Sequence, residues 1–418
     1  MRTIIQKTPR EFIYVLLLFT VLFFNTIGYK LGSISIIVLT LFYILDRNLI
    51  NKIKRLNQKI GFLFLGYFVF HLVGLLYTEN TSLAEHEITV RLPFLILPVI
   101  LFTETISKKY LYDLFVAFKY WLFLLAAILF YHKLLVVDGP LISLPALSLL
   151  KLTGIHHAYF SLFYSFALFF VMHQVVQKKT SDFFGFLQIT FLLFFITILG
   201  ARVTMGVSIL VSIVFFIQRT FKSKGLLKLF IPLVLIIATF FIFKKSNLVE
   251  KFSRLSKVEW NIEKNIYNHQ VFTFEYDKVT SNTLELRLIK WYCAYQIIKE
   301  HIVFGVGTGD YKDELNKQYR EVEFKKGMVY GYNTHSQYIE EFIKFGIIGG
   351  VYFVFFIGYV LYSAYRKKNI LLFLMSLTFA LFLVIESVLV RQHGVVFFCF
   401  FIPILYIYHQ HFEQLKKE

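Results

Sequence analysis

Apolar segments long enough to cross a lipid bilayer recur along the whole chain and are separated mostly by short polar connections. A transmembrane helix needs about 20 mainly apolar residues, so the pattern predicts an all-α polytopic membrane protein with about 12 transmembrane helices. One candidate segment, 91–103, is short for a full span. The candidate segments are 11–28, 31–45, 60–77, 91–103, 111–135, 157–176, 182–199, 203–218, 226–243, 346–365, 370–390 and 394–409.

One connection is much longer than the others and covers residues 244–345. Loops of this length are usually functional or disordered. Apolar residues at helical spacing, such as Leu284 and Leu288, predict that part of it is helical. The chain therefore divides into predicted transmembrane helices 1–9 over residues 1–243, a large loop over 244–345, and helices 10–12 with a tail over 346–418.

The distribution of positive charge predicts the orientation of the chain in the membrane. With the N-terminus placed inside, the inner loops hold most of the Lys and Arg residues, whereas the short outer loops hold few, Arg91 among them. Cytoplasmic loops are enriched in positive charge, so we expect both termini in the cytoplasm and the loop 244–345 outside. Because the positive residues are spread between apolar segments, the net charge of +18 indicates membrane topology and no nucleic-acid partner.

Composition supports this class and excludes several others. Charged residues make up only 17% of the chain, whereas a soluble protein has about 25%. Cys293 and Cys399 are too few for a disulfide framework or a metal cluster, and the pair His156-His157 lacks accompanying carboxylates or cysteines. The glycine-rich run 304–310 matches neither a P-loop nor a dinucleotide fingerprint. It is expected to be a turn in which Asp310 caps the next helix, and no cofactor or metal is expected.

Candidate catalytic groups gather at the predicted outer face. Arg202 follows Gly200-Ala201 in a tight connection between two helices, His157 starts another helix, and Arg391 lies in the last outer turn. Arg287 and His335 lie in the long loop. Ionisable groups at membrane depth are costly and are therefore functional candidates. The alternative is that arginines at helix ends extend to lipid headgroups and that a loop histidine is only solvated.

A transporter is a different class of function with a similar topology. It would need charged residues near the bilayer midplane and paired broken helices. Most ionisable residues fall at predicted helix ends, with Lys119 one of few exceptions, which favours an enzyme over a transporter. Glu386 is expected to pair with Arg391 near the outer face and to be structural.

The segment 333–337 predicts the start of a helix. Thr334 followed three residues later by Gln337 fits a capping box, which would place His335 in the first helical turn. Free backbone N–H groups and the helix dipole favour anions at that position. His335 would there donate a hydrogen bond to a phosphate or accept a proton from an attacking hydroxyl, and the sequence leaves both roles open.

One motif resembles the signature of the O-antigen ligase family: His335-Ser336, then nine residues, then Gly346-Ile347-Ile348-Gly349. That family places the motif at the end of a large periplasmic loop, directly before a transmembrane helix. Arg287 resembles the loop arginine of the family, although Trp291 stands where the family usually has Leu. Arg202 resembles the membrane-embedded arginine of the family.

The resemblance implies a multi-pass glycosyltransferase of the bacterial inner membrane. It implies transfer of O-antigen or a related glycan from undecaprenyl diphosphate to lipid A-core oligosaccharide, or to another glycan acceptor, at the periplasmic face. It leaves open a polysaccharide polymerase or a protein O-oligosaccharyltransferase of the same superfamily. In this interpretation Arg202, Arg287 and His335 are catalytic, because cations stabilise a leaving diphosphate. The expected substrate contacts are Arg391, His157, Ser336 and Tyr332.

Overall fold

The computed structural model describes residues 9–46, 48–136, 153–221, 258–270 and 283–414, and every regular element within these ranges is helical. Two 3-10 helices, Gly74–Tyr77 and Val388–Val390, accompany the α-helices. The α-helices in chain order are α1 (Pro9–Asn25), α2 (Tyr29–Ile44), α3 (Leu49–Ile53), α4 (Lys59–Val73), α5 (Thr81–Thr103), α6 (Lys108–Val136), α7 (His157–Val176), α8 (Asp182–Leu199), α9 (Arg202–Phe221), α10 (Ile262–Asn268), α11 (Thr283–Glu300), α12 (Tyr311–Glu321), α13 (Lys325–Tyr330), α14 (Gln337–Arg366), α15 (Ile370–Ile385) and α16 (Gln392–Gln414).

Eight helices of the described ranges are long and apolar enough to cross a membrane. Two further helices, α2 and α15, are apolar but shorter. The predicted all-helical, multi-pass architecture is confirmed, whereas the ninth predicted span, 226–243, lies outside the described residues. The total of about 12 spans therefore stays a prediction. The eight long helices are α4 with its 3-10 extension, α5, α6, α7, α8, α9, α14 and α16.

Helix α5 begins at Thr81, well before the predicted start at residue 91. Asn80 is its N-cap, and the Oδ1 atom of Asn80 accepts a hydrogen bond from the backbone N–H of Leu83 at 3.0 Å. The prediction that Arg91 lies in a short outer loop is wrong, since Arg91 is fully buried within the helix. Charged residues that the fold buries as ion pairs interrupt the apolar run, so hydropathy alone places the helix start too late.

The predicted topology assigns each helix end to one side of the membrane. Ends that it assigns to the same side are in contact in the structure. At one end of the bundle, His393 Nδ1 lies 3.0 Å from the carbonyl oxygen of Asn25. At the other end, Lys367 donates a hydrogen bond to the hydroxyl of Tyr406 at 2.6 Å. These contacts agree with an antiparallel order of successive helices, while the side that faces the cytoplasm stays a prediction.

Aromatic side chains fill the centre of the bundle, where α7 packs against α16. The ring centroids of Phe166 and Phe401 are 4.5 Å apart, and those of Phe163 and Phe397 are 5.2 Å apart. Offset and edge-to-face pairs at such distances stabilise a core beyond the burial of apolar area. Large apolar residues on the outer faces of α2 and α14 remain exposed, and a surrounding bilayer is the solvent that suits them.

Helices α11 and α12, with Val306 and Phe324 from the connections, form a second core that packs on the first turns of α14. The predicted helical order within the loop 244–345 is therefore confirmed for its described part, while its periplasmic location stays a prediction. Tyr319 donates a hydrogen bond from its hydroxyl to the carbonyl oxygen of Tyr332 at 3.1 Å, which ties α12 to the segment before α14. The buried residues of this core are Leu286, Ile289, Cys293, Ala294, Ile297, Val306, Tyr311, Leu315, Tyr319, Phe324 and Ile343.

The start of the glycine-rich run 304–310 packs against a break in α14. Gly346 interrupts the helix with φ 60° and ψ −156°, and Gly305 has φ +70°. The backbone hydrogen bonds that α14 loses at this break are replaced by bonds to the preceding loop. Val306 N donates to Ile343 O at 2.9 Å, and Ile347 N donates to Ile302 O at 2.8 Å. The run is thus a turn, as predicted, and it packs backbone against backbone. The prediction that the Asp310 side chain caps the next helix is wrong, because its carboxylate accepts hydrogen bonds from the backbone N–H groups of Glu79 and Asn80.

Candidate functional site

His335 lies just before α14 rather than in its first turn. The helix begins at Gln337 with Ser336 as N-cap, and His335 has a left-handed φ of 51°. The predicted capping box is wrong. The hydroxyl of Thr334 donates to the carbonyl oxygen of Ser336 at 2.8 Å, whereas the side chain of Gln337 donates to Glu341 at 2.7 Å. The imidazole is therefore a side chain of the connection before α14.

Glu386 orients the imidazole of His335. The Nδ1 atom of His335 lies 3.0 Å from Oε2 of Glu386, so the expected pairing of Glu386 with Arg391 is replaced by a pairing with His335. Burial alone would raise the pKa of Glu386, but the hydrogen bond from His335 and the positive charges of His335, Arg287 and His156 together lower it. An ionised carboxylate only accepts hydrogen bonds, so Nδ1 carries a hydrogen and the lone pair of neutral His335 is on Nε2.

Arg287 faces the same carboxylate from helix α11. Burial lowers the pKa of Arg287, the negative charge of Glu386 raises it, and the positive charge of Arg202 lowers it. Trp291, one turn further along α11, donates a hydrogen bond from Nε1 to the carbonyl oxygen of Thr334 at 3.0 Å. This contact holds α11 against the histidine segment, and it gives the residue that departs from the family pattern a structural role.

Arg202 is the first residue of α9 and lies at the same end of the bundle. Helix α8 ends at Leu199, and Gly200, with a left-handed φ of 70°, reverses the chain, so only Gly200 and Ala201 separate the two helices. Arg202 is partly buried. Its charge acts on Arg287, whose own charge acts on Glu386. The structure therefore brings the three predicted catalytic residues into one electrostatic neighbourhood.

The histidine pair contributes His156 as a further neighbour of Glu386. His156 is the N-cap of α7, and its Nδ1 accepts a hydrogen bond from Ala158 N at 3.4 Å. Burial lowers the pKa of His156, the charge of Glu386 raises it, and the charges of Arg391 and His335 lower it. The imidazole of His157 lies beside that of His156, with 4.1 Å between the ring centroids.

The remaining predicted substrate contacts differ in exposure. Arg391 is exposed, whereas Ser336 is buried. Tyr332 is partly buried, and its ring centroid lies 6.2 Å from that of His335. Tyr330 stacks on Tyr332 at 5.5 Å. Tyr332 is thus the member of this group that the structure places beside the imidazole.

Lys290 is a buried cation of the site that the sequence analysis missed. It follows Arg287 by three residues, which places both side chains on one face of α11. The ammonium lies over the ring of Tyr332, 4.5 Å from the centroid. Burial is the main cause that lowers the pKa of Lys290 to about 7, with the positive charges of Arg287 and Lys326 acting in the same direction and Glu386 against them. Its spacing from Arg287 was the available signal.

A second set of buried charges lies inside the helices. Lys344 Nζ on α14 lies 2.7 Å from Glu87 and 2.8 Å from Glu340, and Arg91 lies 2.7 Å from Glu87 on α5. All four side chains are fully buried. The expectation that ionisable residues fall at helix ends is therefore wrong for α5 and α14. Two (i, i+4) opposite-charge pairs within apolar stretches were the signal for this network.

The site joins excess positive charge to His335, whose Nε2 atom has no hydrogen-bond partner within the described residues. Within the described residues, Glu386 is the carboxylate that faces Arg287, Lys290 and His335, so cations outnumber it. Such a basin favours a polyanionic ligand, and an oriented imidazole beside it serves proton transfer. No group of three or more metal-ligating side chains is found in the part of the chain that the structure describes.

Comparison with known proteins agrees with this chemistry. Residues 184–354 match a family model described as O-antigen ligase. An uncharacterized protein of Haemophilus influenzae is 25% identical over 189 residues, which cover 44% of this chain and 44% of that relative. The family match supports a glycosyl-transferring class of enzyme in a lipid bilayer, within the O-antigen ligase and polymerase superfamily. The resemblance seen in the motif of His335 is thereby confirmed: over residues 184–354 the chain matches the O-antigen ligase family.

Proposed function

We propose that this protein transfers O-antigen or a related glycan from undecaprenyl diphosphate to lipid A-core oligosaccharide at the periplasmic face of the bacterial inner membrane. The observation that carries the proposal is the contact of His335 with Glu386 in reach of the charges of Arg287 and Arg202. In this proposal His335 and Glu386 activate the glycan acceptor, and Arg287 and Arg202 bind the diphosphate of the donor.

Transfer from the donor requires cations that stabilise the leaving diphosphate, and it requires no nucleotide. When the bond between the anomeric carbon and the phosphate oxygen breaks, negative charge grows on the undecaprenyl diphosphate that leaves. Preorganised donors aimed at developing charge are usually a large part of catalysis. Arginine suits this role because its planar guanidinium contacts a phosphate through two hydrogen bonds. Arg287 has a buried Nε atom without a hydrogen-bond partner in the described residues, a donor that a phosphate oxygen would satisfy.

The acceptor needs a base, and His335 is assigned that role. An acceptor hydroxyl attacks the anomeric carbon, a new carbon–oxygen bond forms, and the hydroxyl proton passes to Nε2 of His335. Glu386 then faces the imidazolium across the 3.0 Å contact and stabilises its charge. The tautomer that Glu386 selects favours this role over donation of a hydrogen bond from Nε2 to phosphate in the neutral state.

Alanine substitutions at three positions test the proposal. R202A, R287A and H335A should each reduce glycan transfer about 100-fold or more, since they remove charge stabilisation or proton transfer. In a host that lacks the native chain, lipopolysaccharide on a gel should then show an intact core without the ladder. The matched controls R320A and H301A remove an exposed arginine and an exposed histidine of the loop and should keep the ladder. Full activity of all three site variants would contradict the assignment.

A polymerase or a protein O-oligosaccharyltransferase of the same superfamily would use the same cations. The product separates the three activities: polymer on lipid A-core, longer polymer on undecaprenyl diphosphate, or glycan on protein. On a lipopolysaccharide gel, a single-repeat band after deletion of the chain would indicate polymerisation instead of ligation.

A further inference from the structure

Lys290 is the most deeply buried cation beside His335, with 4% of its surface exposed. Charged lysines are rarely buried unless paired, because removing an ammonium from water is energetically costly. Within the described residues no carboxylate forms an ion pair with Lys290, and its contact is the face of the Tyr332 ring. A cation–π contact attracts the ammonium but supplies no negative counter-charge. Within the described residues, the cost of burying the Lys290 ammonium is thus offset only in part, by the Tyr332 ring and the more distant charge of Glu386.

The groups that surround Lys290 come from four segments of the chain. Arg287 lies on the same helix, Lys326 on α13, Tyr332 on the connection to α14, and Glu386 after α15. Glu386 is already engaged by the imidazole of His335. Among the described groups positive charge is therefore in excess around Lys290, and such an excess favours a bound anion.

We propose that Lys290 is a third cation of the donor site and binds an oxyanion of the glycan donor directly. This inference rests on the proposed function, because it takes the donor as the bound molecule. The oxyanion is a phosphate oxygen of the diphosphate or a carboxylate of an acidic sugar, and both present the same chemistry to an ammonium. Lys290 and Arg287, one helical turn apart, grip neighbouring oxygens, while the ring of Tyr332 fixes the direction of the ammonium.

Binding of the oxyanion is linked to protonation of Lys290. The pKa of Lys290 is lowered to about 7, so part of the population is neutral near neutral pH and the ammonium is lost as the pH rises. A bound anion favours the charged form and raises that pKa, so affinity is highest below pH 7 and falls as the pH rises through it. Without Lys290 this part of the pH dependence disappears.

Binding of two small probes to the full chain in detergent tests the proposal by calorimetry. Inorganic pyrophosphate stands for the diphosphate and glucuronate for an acidic sugar, each measured at pH 6 and pH 8. K290M should weaken binding of at least one probe about 10- to 100-fold, the usual effect of one charge-assisted hydrogen bond. K290R, which keeps the charge, should retain most of the affinity. K299M removes an exposed lysine of the same helix and should bind as wild type.

The two probes separate the sources of the oxyanion. A loss confined to pyrophosphate assigns Lys290 to the diphosphate, and a loss confined to glucuronate assigns it to the glycan. Unchanged binding of both probes by K290M overturns the inference. If R287A loses pyrophosphate binding while K290M binds both probes normally, the proposed function stands and the role of Lys290 falls. If pyrophosphate binds equally to wild type, R202A, R287A and K290M, the proposed binding of the diphosphate by Arg202 and Arg287 is wrong as well.

Discussion

The position of one proton on His335 decides which chemistry this residue serves. Glu386 faces Nδ1 at 3.0 Å, and its carboxylate stays ionised because nearby positive charges outweigh the effect of its burial on its pKa. The proposed base function of Nε2 therefore depends on Glu386, which orients the imidazole through Nδ1. Glu386 is in this sense a positioning residue.

Replacing Glu386 by Gln tests that dependence. E386Q keeps the size of the side chain but removes the charge that fixes the tautomer and stabilises the imidazolium. We expect kcat for glycan transfer to fall about 100-fold or more, with the donor KM little changed, by analogy with the orienting carboxylate of a catalytic triad. Steady-state kinetics with purified protein measure both constants. A rise in the donor KM with unchanged kcat would show that Glu386 serves binding instead of proton transfer.

The residues of the site were predictable from the sequence to different degrees. Arg202, Arg287 and His335 occur in short local patterns that resemble a family, so one sequence was enough to select them. Glu386 is 51 residues from His335 along the chain, and no local spacing links the two. Lys290 is adjacent to a recognised residue, but whether a lysine on a helix is buried depends on tertiary packing. Contacts across the fold thus supplied what local patterns lacked.

At the scale of elements, the break in α14 is made by two glycines that face each other. A Cβ atom on Gly346 would lie 2.3 Å from the carbonyl oxygen of Val303, and one on Gly305 would lie 2.4 Å from that of Ile343. Both positions also have positive φ. The backbone of the loop therefore replaces a helical turn, and it does so immediately after the first turns of α14 that follow His335.

Substituting Gly346 by Ala should destabilise the protein. The methyl group clashes with backbone that cannot yield cheaply, and the residue is strained at φ +60°, so we expect a loss of about 2 kcal/mol or more. Thermal unfolding in detergent measures it. Gly358 in the same helix has open space around its Cβ position, so G358A is the matched control and should unfold at the same temperature or higher. Equal stability of G346A and G358A would contradict the account of the break.

The buried network of Lys344 with Glu87 and Glu340 joins α5 to α14. Removing one partner of a buried ion pair leaves an uncompensated charge and costs about 3–5 kcal/mol. We therefore expect K344M to lower the unfolding temperature strongly, and salt to have little effect because the pair is excluded from solvent. K317M, which removes an exposed partner of Glu314, should cost about 1 kcal/mol or less. An unchanged melting temperature for K344M would show that the network adds no stability.

Helix boundaries were predictable where apolar periodicity and end signals agree. Helix α8 spans Asp182–Leu199, as the apolar segment 182–199 predicted. The Oγ atom of Ser181 accepts a hydrogen bond from Phe184 N before it, and Gly200 with left-handed φ follows it. Helix α5 was misplaced because its first half carries Glu87 and Arg91, which hydropathy scores as polar although both are buried. Paired charges neutralise each other inside the fold, and a scale that treats residues singly does not include that pairing.

At the scale of the whole molecule, the proposed function depends on which side of the membrane holds α11, α12 and α13. The excess of Lys and Arg in the opposite loops predicts that these helices are periplasmic. The bundle itself is compatible with either direction, because its packing is the same when the whole molecule is inverted in the bilayer. A reagent that reaches only one side of the membrane distinguishes the two orientations.

Single introduced cysteines provide that test in the native background. Cys293 and Cys399 are both buried, and burial raises the pKa of the Cys293 thiol to about 12, so neither should react with a maleimide. Lys317 on α12 and Lys54 after α3 are exposed. K317C should be labelled by a membrane-impermeant maleimide in intact spheroplasts, and K54C only after the membrane is permeabilised. The reverse pattern would place the histidine and the arginines in the cytoplasm, away from any acceptor assembled outside, and the proposed ligation would then be wrong.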